Sequence, residues 1–153
     1  GIYLDETVMR MCYTHRRLLS LLAMNLVQEG KDEKAMKVLD KCEKMLPSYN
    51  IPHDYQSGSM DLARAYALTG QNKKAQELID QLWRKSVEYM LWYSSLDGQR
   101  FESSQQDCML HIYILNQVLN LQSVVDEKLG QEKEKQFQTI NKIYEAKGGT
   151  YGN

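Results

Sequence analysis

The chain has 153 residues, about the size of one domain, and 42% of them are hydrophobic while 25% are charged. This composition is close to the average for soluble globular proteins and excludes wholesale disorder. The 19 basic and 20 acidic residues leave a formal net charge of −1. Because nucleic-acid-binding proteins usually carry a basic footprint, we expect no nucleic-acid partner. The one local basic cluster, His15-Arg16-Arg17, is best explained by a solvated helix face, with a phosphate site as the alternative.

No run of residues approaches the ~18 consecutive apolar residues that a membrane span needs. The most apolar run, Met109 to Leu115, is short and contains His111. No signal peptide is expected, since no charged-then-apolar leader is present. Residue 1 is glycine rather than methionine, and we expect the chain to be a piece of a longer protein.

The first predicted hairpin begins with a helix from about Glu6 to Glu29, with Asp5 as its N-cap. Gly30 suits the left-handed position after the helix, and a second helix from about Asp32 to Leu46 ends at Pro47. The apolar residues of the first helix recur every three or four positions and are expected to face the core: Val8, Met11, Cys12, His15, Leu18, Leu19, Leu22 and Leu26.

A linker without helical periodicity, Ser48 to Ser57, precedes the second predicted hairpin. Its helices run from about Ser59 to Thr69 and from near Gln71 through Tyr93, with Gly70 between them. The dense aromatic segment Tyr89 to Tyr93 has two interpretations. It packs on the next helix, or it forms an exposed apolar patch for a partner or a membrane surface.

A third predicted hairpin begins with a long helix from about Glu102 to Leu129. This helix is apolar nearly all round, so we expect it to be central and buried. Gly130 is predicted to close it, and a last helix follows with Phe137, Ile140 and Tyr144 on its apolar face. The tail Gly148 to Asn153 is expected to fray.

The first two hairpins share a sequence pattern. Three small residues recur with a constant offset of 40 positions: Ala23, Gly30 and Ala35, then Ala63, Gly70 and Ala75. The first copy reads Leu19-x2-Leu22-Ala23-x2-Leu26, Ala35-x3-Leu39, Pro47, and the second reads Ser59-x2-Leu62-Ala63-x2-Tyr66, Ala75-x3-Ile79. This pattern resembles the tetratricopeptide repeat. The resemblance implies an all-α fold: three antiparallel hairpins, about 6–47, 58–95 and 102–147, stacked as a short α-solenoid in one domain, 1–153, with a flexible tail, 148–153.

A longer resemblance covers roughly Ile2 to Asp80. It is carried by IYLDETVMRMCYTHRRLLSLLAMNLVQEGKDEKAMKVLDKC, then IPHDY and LARAYALTGQNKKAQELID. These segments are similar to the C-terminal soluble region of a family of bacterial multi-span membrane proteins. The N-terminal membrane part of that family resembles protein O-mannosyltransferases. The resemblance implies that catalysis lies outside this chain and that the domain is membrane-associated and periplasmic, with a cytoplasmic location as the alternative.

No phosphate-binding glycine loop, nucleophile elbow or paired-cysteine spacing occurs in the sequence. We therefore predict no catalytic residue, cofactor or metal, and a protein or peptide partner for a helical interaction module. The alternative is a small all-α enzyme or ligand-binding domain with a polar pocket near His15, Arg17 and Tyr55. The oligomeric state stays open. Three cysteines far apart predict three free, buried thiols: Cys12, Cys42 and Cys108.

In tetratricopeptide stacks the first helix of each hairpin lines the concave side, where ligands bind. The resemblance places seven residues there: Arg17, Ser20, Met24, Val27, Met60, Arg64 and Ala67. Arginines among methionines suit a partner of mixed apolar and acidic character, because methionine adapts its shape and arginine offers a planar set of donors. The alternative is that the third hairpin folds over this face.

Overall fold

The computed structural model describes residues 4–152, and 81% of these are helical with no strand among them. The all-α prediction is confirmed. Seven α-helices and one 3₁₀ turn follow in this order: α1 (Glu6–Gln28), α2 (Asp32–Met45), the 3₁₀ turn (Tyr55–Ser57), α3 (Ser59–Leu68), α4 (Asn72–Ser95), α5 (Gly98–Ser103), α6 (Gln105–Val125) and α7 (Glu127–Ala146). The chain divides into two compact units, with the boundary between Leu82 and Trp83 inside α4. The single repeat domain and its solenoid stacking stay predictions. Ile2 and Asn153, the ends of the longer resemblance and of the tail, lie outside the described residues.

The turns after α1 and α3 are two copies of the same structure. Gly30 and Gly70 have φ angles of 74° and 73°, the left-handed region that a side chain disfavours. In each turn the glycine N–H bonds three residues back, and the next N–H bonds the carbonyl five residues back: Lys31 to Leu26 at 2.8 Å and Gln71 to Tyr66 at 2.9 Å. Both turns are Schellman motifs. The sequence pattern that recurs after 40 residues therefore corresponds to a backbone conformation that also recurs after 40 residues.

The core of the first unit forms where α1 contacts α2 and α3. Ala23, Ala35, Ala63 and Leu39 are fully buried there. Alanines on facing helices let the backbones approach closely, because no side chain beyond Cβ separates them. The small residues of the repeat pattern therefore lie at the helix contacts.

The orientation predicted for α1 is wrong. The helix buries Arg16, Ser20 and Ala23, while Met11 and Leu18 keep 57% and 54% of their surface exposed. The contacts with α2 and α3 select the face with alanine and serine, and the apolar stripe is left outside. The basic cluster is likewise only partly solvated, since His15 and Arg17 are exposed but Arg16 is not.

The second unit turns at a different residue from the one predicted. Helix α6 ends at Val125, and Asp126 caps α7 by accepting a hydrogen bond from Leu129 N at 3.0 Å. Gly130 lies inside α7, where a Cβ would come within 2.7 Å of Ser123 Oγ. The absence of a side chain at Gly130 allows α6 and α7 to approach closely. The long helix predicted from Glu102 is also divided, since α5 ends at Ser103 and α6 begins at Gln105.

Helix α6 is long and apolar enough, by length and composition alone, to cross a membrane, with a mean hydropathy of 1.2. The sequence contains no unbroken apolar run of this length, because polar residues lie between the apolar residues of α6. In the structure 39% of that stretch is buried, and core helices of soluble proteins pass the same test. The prediction of a buried helix is met on one face, whereas Leu110 and Tyr113 are exposed.

The residues after α7 have contacts that the sequence analysis did not foresee. The buried Tyr144 donates its hydroxyl proton to Thr150 O at 2.6 Å and accepts from Thr150 N at 3.1 Å. The Thr150 hydroxyl donates in turn to Gln105 Oε1 at 2.8 Å. Thr150 is therefore held against the start of α6 rather than fraying.

Candidate functional site

One buried arginine, Arg16 of α1, organises the linker between α2 and α3. Its guanidinium donates to the carbonyls of Ile51 at 2.5 Å and of Pro52 and Ser57 at 3.1 Å each. Longer contacts of 3.4 Å reach the carbonyl of Leu46 and the hydroxyl of Ser59. These five acceptors lie between Leu46 and Ser59, so Arg16 supplies hydrogen bonds that regular secondary structure would otherwise provide there.

The Arg16 side chain is 0% exposed, and its acceptors are main-chain dipoles and one hydroxyl. Burial lowers the pKa of the guanidinium from its ordinary value, yet arginine stays charged in proteins. A capping box between Asp54 and Ser57, with bonds of 2.8 and 2.9 Å, fixes the 3₁₀ turn that presents the Ser57 carbonyl. Arg16 is thus a structural clamp.

Sequence reasoning missed this clamp, although a signal was present. Arg16 shares the spacing i, i+4, i+7 with Ser20 and Ala23, the small residues of α1. Small residues on a helix face let another segment pack closely against it. An arginine at the end of that face can then extend its guanidinium to hydrogen-bond acceptors on the packed segment. A ten-residue linker without regular structure supplies the carbonyls that need donors.

A cavity of about 370 Å³ lies beside the clamp, between α2, the linker, α3 and the start of α4. The Tyr66 hydroxyl donates to the Glu43 carboxylate, which also pairs with Lys74 Nζ at 2.9 Å. Lys74 lies 5.3 Å from the centre of the Tyr66 ring. The polar groups of this wall are thus engaged with one another rather than directed at a ligand.

The charges of the cavity follow from burial and pairing. Burial opposes ionisation of Glu43, but the hydrogen bonds from Tyr66 and Lys74 outweigh it and lower the pKa of the carboxyl. Burial, helped by the positive charge of Arg16, lowers the pKa of His53 to about 4. At neutral pH Glu43 is therefore ionised and His53 is neutral, with its Nδ1 2.7 Å from Ser59 Oγ.

Of the three residues proposed to line a polar pocket, His15, Arg17 and Tyr55, the structure places Arg17 in an open hollow. Arg17 lines a separate open hollow with Tyr13, Gln56 and Gly58, and neither His15 nor Tyr55 lines it. His15 lies exposed among the apolar residues of α1.

Two of the seven residues predicted on the concave face are inaccessible. Ser20 is fully buried and donates to Arg16 O at 2.7 Å, and Met60 is also buried; both assignments are corrected because these side chains fill the contacts around α1 and α3. Arg17 is exposed, and Arg64 is half-buried beside Asp61 at 3.5 Å. The other three are partly accessible: Met24, Val27 and Ala67.

The outer face of α1 is the most distinctive surface of the first unit. Its spacing alternates between three and four residues, and we call it the α1 stripe: Val8, Met11, His15, Leu18 and Leu22. All five are exposed, and Leu22 keeps 46% of its surface in water. Since burying a whole leucine or methionine side chain gains about 1.5–3 kcal/mol, covering the stripe would be favourable.

The second unit exposes part of its aromatic segment. Trp92 and Tyr89 are exposed while Met90 is fully buried, so the segment both packs and presents a surface. The Tyr89 ring stacks on His111 of α6 with centroids 4.6 Å apart, and His111 Nδ1 lies 3.1 Å from Ser86 Oγ. Both interpretations of this segment are thus partly met.

Within residues 4–152 no group of three or more His, Cys, Asp or Glu side chains has the arrangement of a metal site. All three cysteines are free, as predicted, although Cys12 is only partly buried. No family model, curated protein or solved structure matches the chain. The tetratricopeptide resemblance therefore rests on the sequence pattern and the repeated turns, and the glycosyltransferase resemblance rests on the sequence alone.

Proposed function

We propose that this chain is a non-catalytic helical-repeat module that binds a protein partner through the α1 stripe. The observation behind the proposal is the exposure of Met11, Leu18 and Leu22 on a helix that buries Arg16, Ser20 and Ala23 instead. Exposed apolar surface of this kind marks interaction sites in soluble proteins. Because α1 buries an arginine and a serine but leaves leucines exposed, we infer that these leucines contact another protein.

The repeat assignment is supported by the two Schellman turns at Gly30 and Gly70 and by the alanines buried at the helix contacts. Hairpins of this type extend by stacking, and the outer face of the first helix is then available to a further helical element. On the sequence resemblance we propose that the module is the soluble appendage of a membrane-embedded glycosyltransferase-like protein, on its periplasmic side.

The enzyme alternative has less support from the geometry. Of the residues it needs, Arg17 lines an open hollow that neither His15 nor Tyr55 lines. The cavity beside Arg16 places its carboxylate against a tyrosine and a lysine. The one hydroxyl that the cavity's histidine holds, Ser59 Oγ at 2.7 Å from His53 Nδ1, is fully buried and does not line the cavity, so this pair is not placed to attack a bound substrate.

The proposal is tested with a photo-crosslinking amino acid at Leu18 of the protein in its own cells. We expect a crosslinked protein from position 18 and none from Leu68, which has the same 54% exposure and lies on α3 of the same unit. Crosslinks from both positions, or from neither, would contradict binding through the stripe.

A second comparison locates the surface on the module. We expect Leu18→Glu to abolish the crosslink-defined interaction, because a carboxylate in an apolar contact remains unpaired. If the concave face is used instead, Arg64→Glu will have that effect and Leu18→Glu will not. Both side chains are at least partly exposed, so the melting temperature should change little in either variant.

A further inference from the structure

The hydroxyls around His53 determine which of its ring nitrogens carries the proton. Ser57 Oγ lies 2.9 Å from the carbonyl of Asp54 and must give its single proton to that oxygen. The 2.7 Å contact between Ser57 Oγ and Ser59 Oγ then uses the Ser59 proton. Ser59 Oγ has no proton left for His53 Nδ1 at 2.7 Å, so Nδ1 is the donor in that contact. The neutral ring therefore carries its proton on Nδ1, and its Nε2 is an acceptor.

Nε2 belongs to the edge of the ring that lines the cavity beside the clamp. Ser59 is fully buried and does not line that cavity, so the Nδ1 edge points into the protein. In the part of the chain that the structure describes, Ser59 Oγ is the only hydrogen-bond partner of the ring. The opposite wall differs, because its Tyr66, Glu43 and Lys74 groups already bond one another. His53 Nε2 is thus an acceptor that the protein itself does not use.

The charges around the cavity favour an uncharged ligand. Two cationic side chains, Arg16 and Lys74, line it together with two carboxylates, Glu43 and Glu77, so the formal charges cancel. Burial and the positive charge of Arg16 lower the pKa of His53, and the same charge opposes a cationic group at Nε2. A carboxylate or phosphate ligand has no proton to donate to that nitrogen.

The cavity combines an apolar interior with a polar opening. Leu46, Leu62 and Leu78 are buried where they line it. A volume of about 370 Å³ lies within the range of small-molecule sites. Four of its lining residues are exposed and form its opening to water: Ser48, Tyr49, Glu77 and Gln81.

We propose that this cavity binds a small uncharged organic ligand whose apolar body lies on the three leucines and whose O–H or N–H group donates to His53 Nε2. Phenol, an aromatic ring with one hydroxyl, is a simple probe of this chemistry. The site goes beyond the proposed function, because no residue of the α1 stripe lines the cavity.

An NMR titration of the histidine ring nitrogens with phenol tests the proposal. We expect His53 to carry its proton on Nδ1 before the titration, and phenol to shift its Nε2 resonance with a dissociation constant of about 1 mM. Anisole has the same ring but no hydroxyl proton, so it should bind at least about fivefold more weakly. Benzoate and benzylamine, which carry opposite charges, should also bind more weakly than phenol.

The matched control is a second histidine with the same kind of contact. His111 is half-buried, and its Nδ1 lies 3.1 Å from Ser86 Oγ in the second unit. His53→Asn retains an amide donor near the position of Nδ1 but places no group at Nε2, so it should weaken phenol binding at least about fivefold. His111→Asn should leave phenol binding unchanged.

The same chemistry occurs in free small molecules and in tyrosine side chains. N-acetyltyrosine amide carries the phenol group on a peptide unit and separates the two sources. Weaker binding than that of phenol supports a free small molecule as the ligand, whereas tighter binding supports a tyrosine of another polypeptide, and both results support the donor contact with His53.

Equal binding of phenol and anisole would overturn the inference, and so would a His53 ring with its proton on Nε2. Both measurements use the unchanged chain, so neither depends on the folding of a variant. If phenol does not bind while Leu18 still crosslinks to a partner, the cavity site is refuted and the proposed function stands.

Discussion

Replacing Arg16 by methionine should destabilise the first unit by about 3–4 kcal/mol. The substitution keeps a long apolar stem but removes every donor from a guanidinium that is 0% exposed. Leu46, Ile51 and Ser57 are buried residues whose carbonyls lose their donor, and a buried polar group left without a partner costs about 1–3 kcal/mol. Pro52 is exposed, so its carbonyl can bind water instead. Release of the buried charge offsets part of the loss.

Arg16→Lys separates charge from geometry. Lysine keeps the positive charge but offers three donors from one atom, whereas the arginine fork reaches carbonyls on both of its terminal nitrogens. We expect a loss of about 2 kcal/mol, since only part of the acceptor set can be satisfied. The matched control is Arg17→Met at the exposed neighbouring position, with a change within about 0.5 kcal/mol.

Urea unfolding followed by far-UV circular dichroism measures these differences. Tryptophan fluorescence is unsuitable, because Trp83 and Trp92, the only two tryptophans, both belong to the second unit. Hydrogen exchange of amides in α2 and α3 should show the loss in the first unit. If Arg16→Met costs less than about 1 kcal/mol, the carbonyls do not depend on the guanidinium and the clamp is refuted.

Three further predictions concern backbone, pH and thiols. Gly58→Ala should lower the free energy of unfolding in urea by about 2–4 kcal/mol, because φ is 76° and the new Cβ would lie 2.9 Å from a main-chain nitrogen of α1. Gly30 has the same backbone conformation but no neighbour within 4 Å of a new Cβ, so Gly30→Ala should cost clearly less. Equal losses would contradict the steric argument. His53 has a pKa of about 4 in the folded protein against an ordinary value of 6.5, so the unfolded state binds a proton first as the pH falls. The free energy of unfolding should therefore fall by about 2 kcal/mol between pH 7 and pH 4, a figure reduced for the partial exposure of the imidazole. His53→Gln should flatten that part of the pH profile, and an unchanged slope would show that other groups cause it. A thiol reagent should label Cys12 first in the native protein, because Cys12 is partly exposed while burial raises the pKa of Cys42 to about 11. In denaturant the reagent should label three thiols. Rapid labelling of two thiols in the native protein would show that the buried sites open readily.

Helices α1 to α3 and the turns that end them were determined by the sequence alone. Gly30, Gly70 and Pro47 end helices for reasons that lie within a few residues of each, namely a left-handed φ or a missing N–H. Such signals are local, and the structure reproduces the predicted bounds of α1 to α3 to within one residue. The cap of α1 at Asp5, which bonds Val8 N at 3.0 Å, belongs to the same class.

The tertiary structure decided the turn between α6 and α7. The break was predicted at Gly130, since glycine ends helices, whereas Asp126 caps the start of α7 in the structure. Gly130 is instead required at the helix contact, where Ser123 leaves no room for a Cβ. That requirement arises only when α7 folds back on α6, so a single sequence does not distinguish the two roles.

The tertiary structure also decided which face of α1 is buried. Its apolar stripe predicted one inner face, yet Arg16 and Ala23 occupy the core and Leu18 faces water. The reason lies 30 to 43 residues away, where the linker from Leu46 to Ser59 presents the acceptors that Arg16 satisfies. The sequence of a helix specifies how polarity is arranged around its axis. Which side becomes the core depends on the groups that distant segments bring to it, because buried main-chain carbonyls without a donor cost as much as several exposed leucines gain from burial.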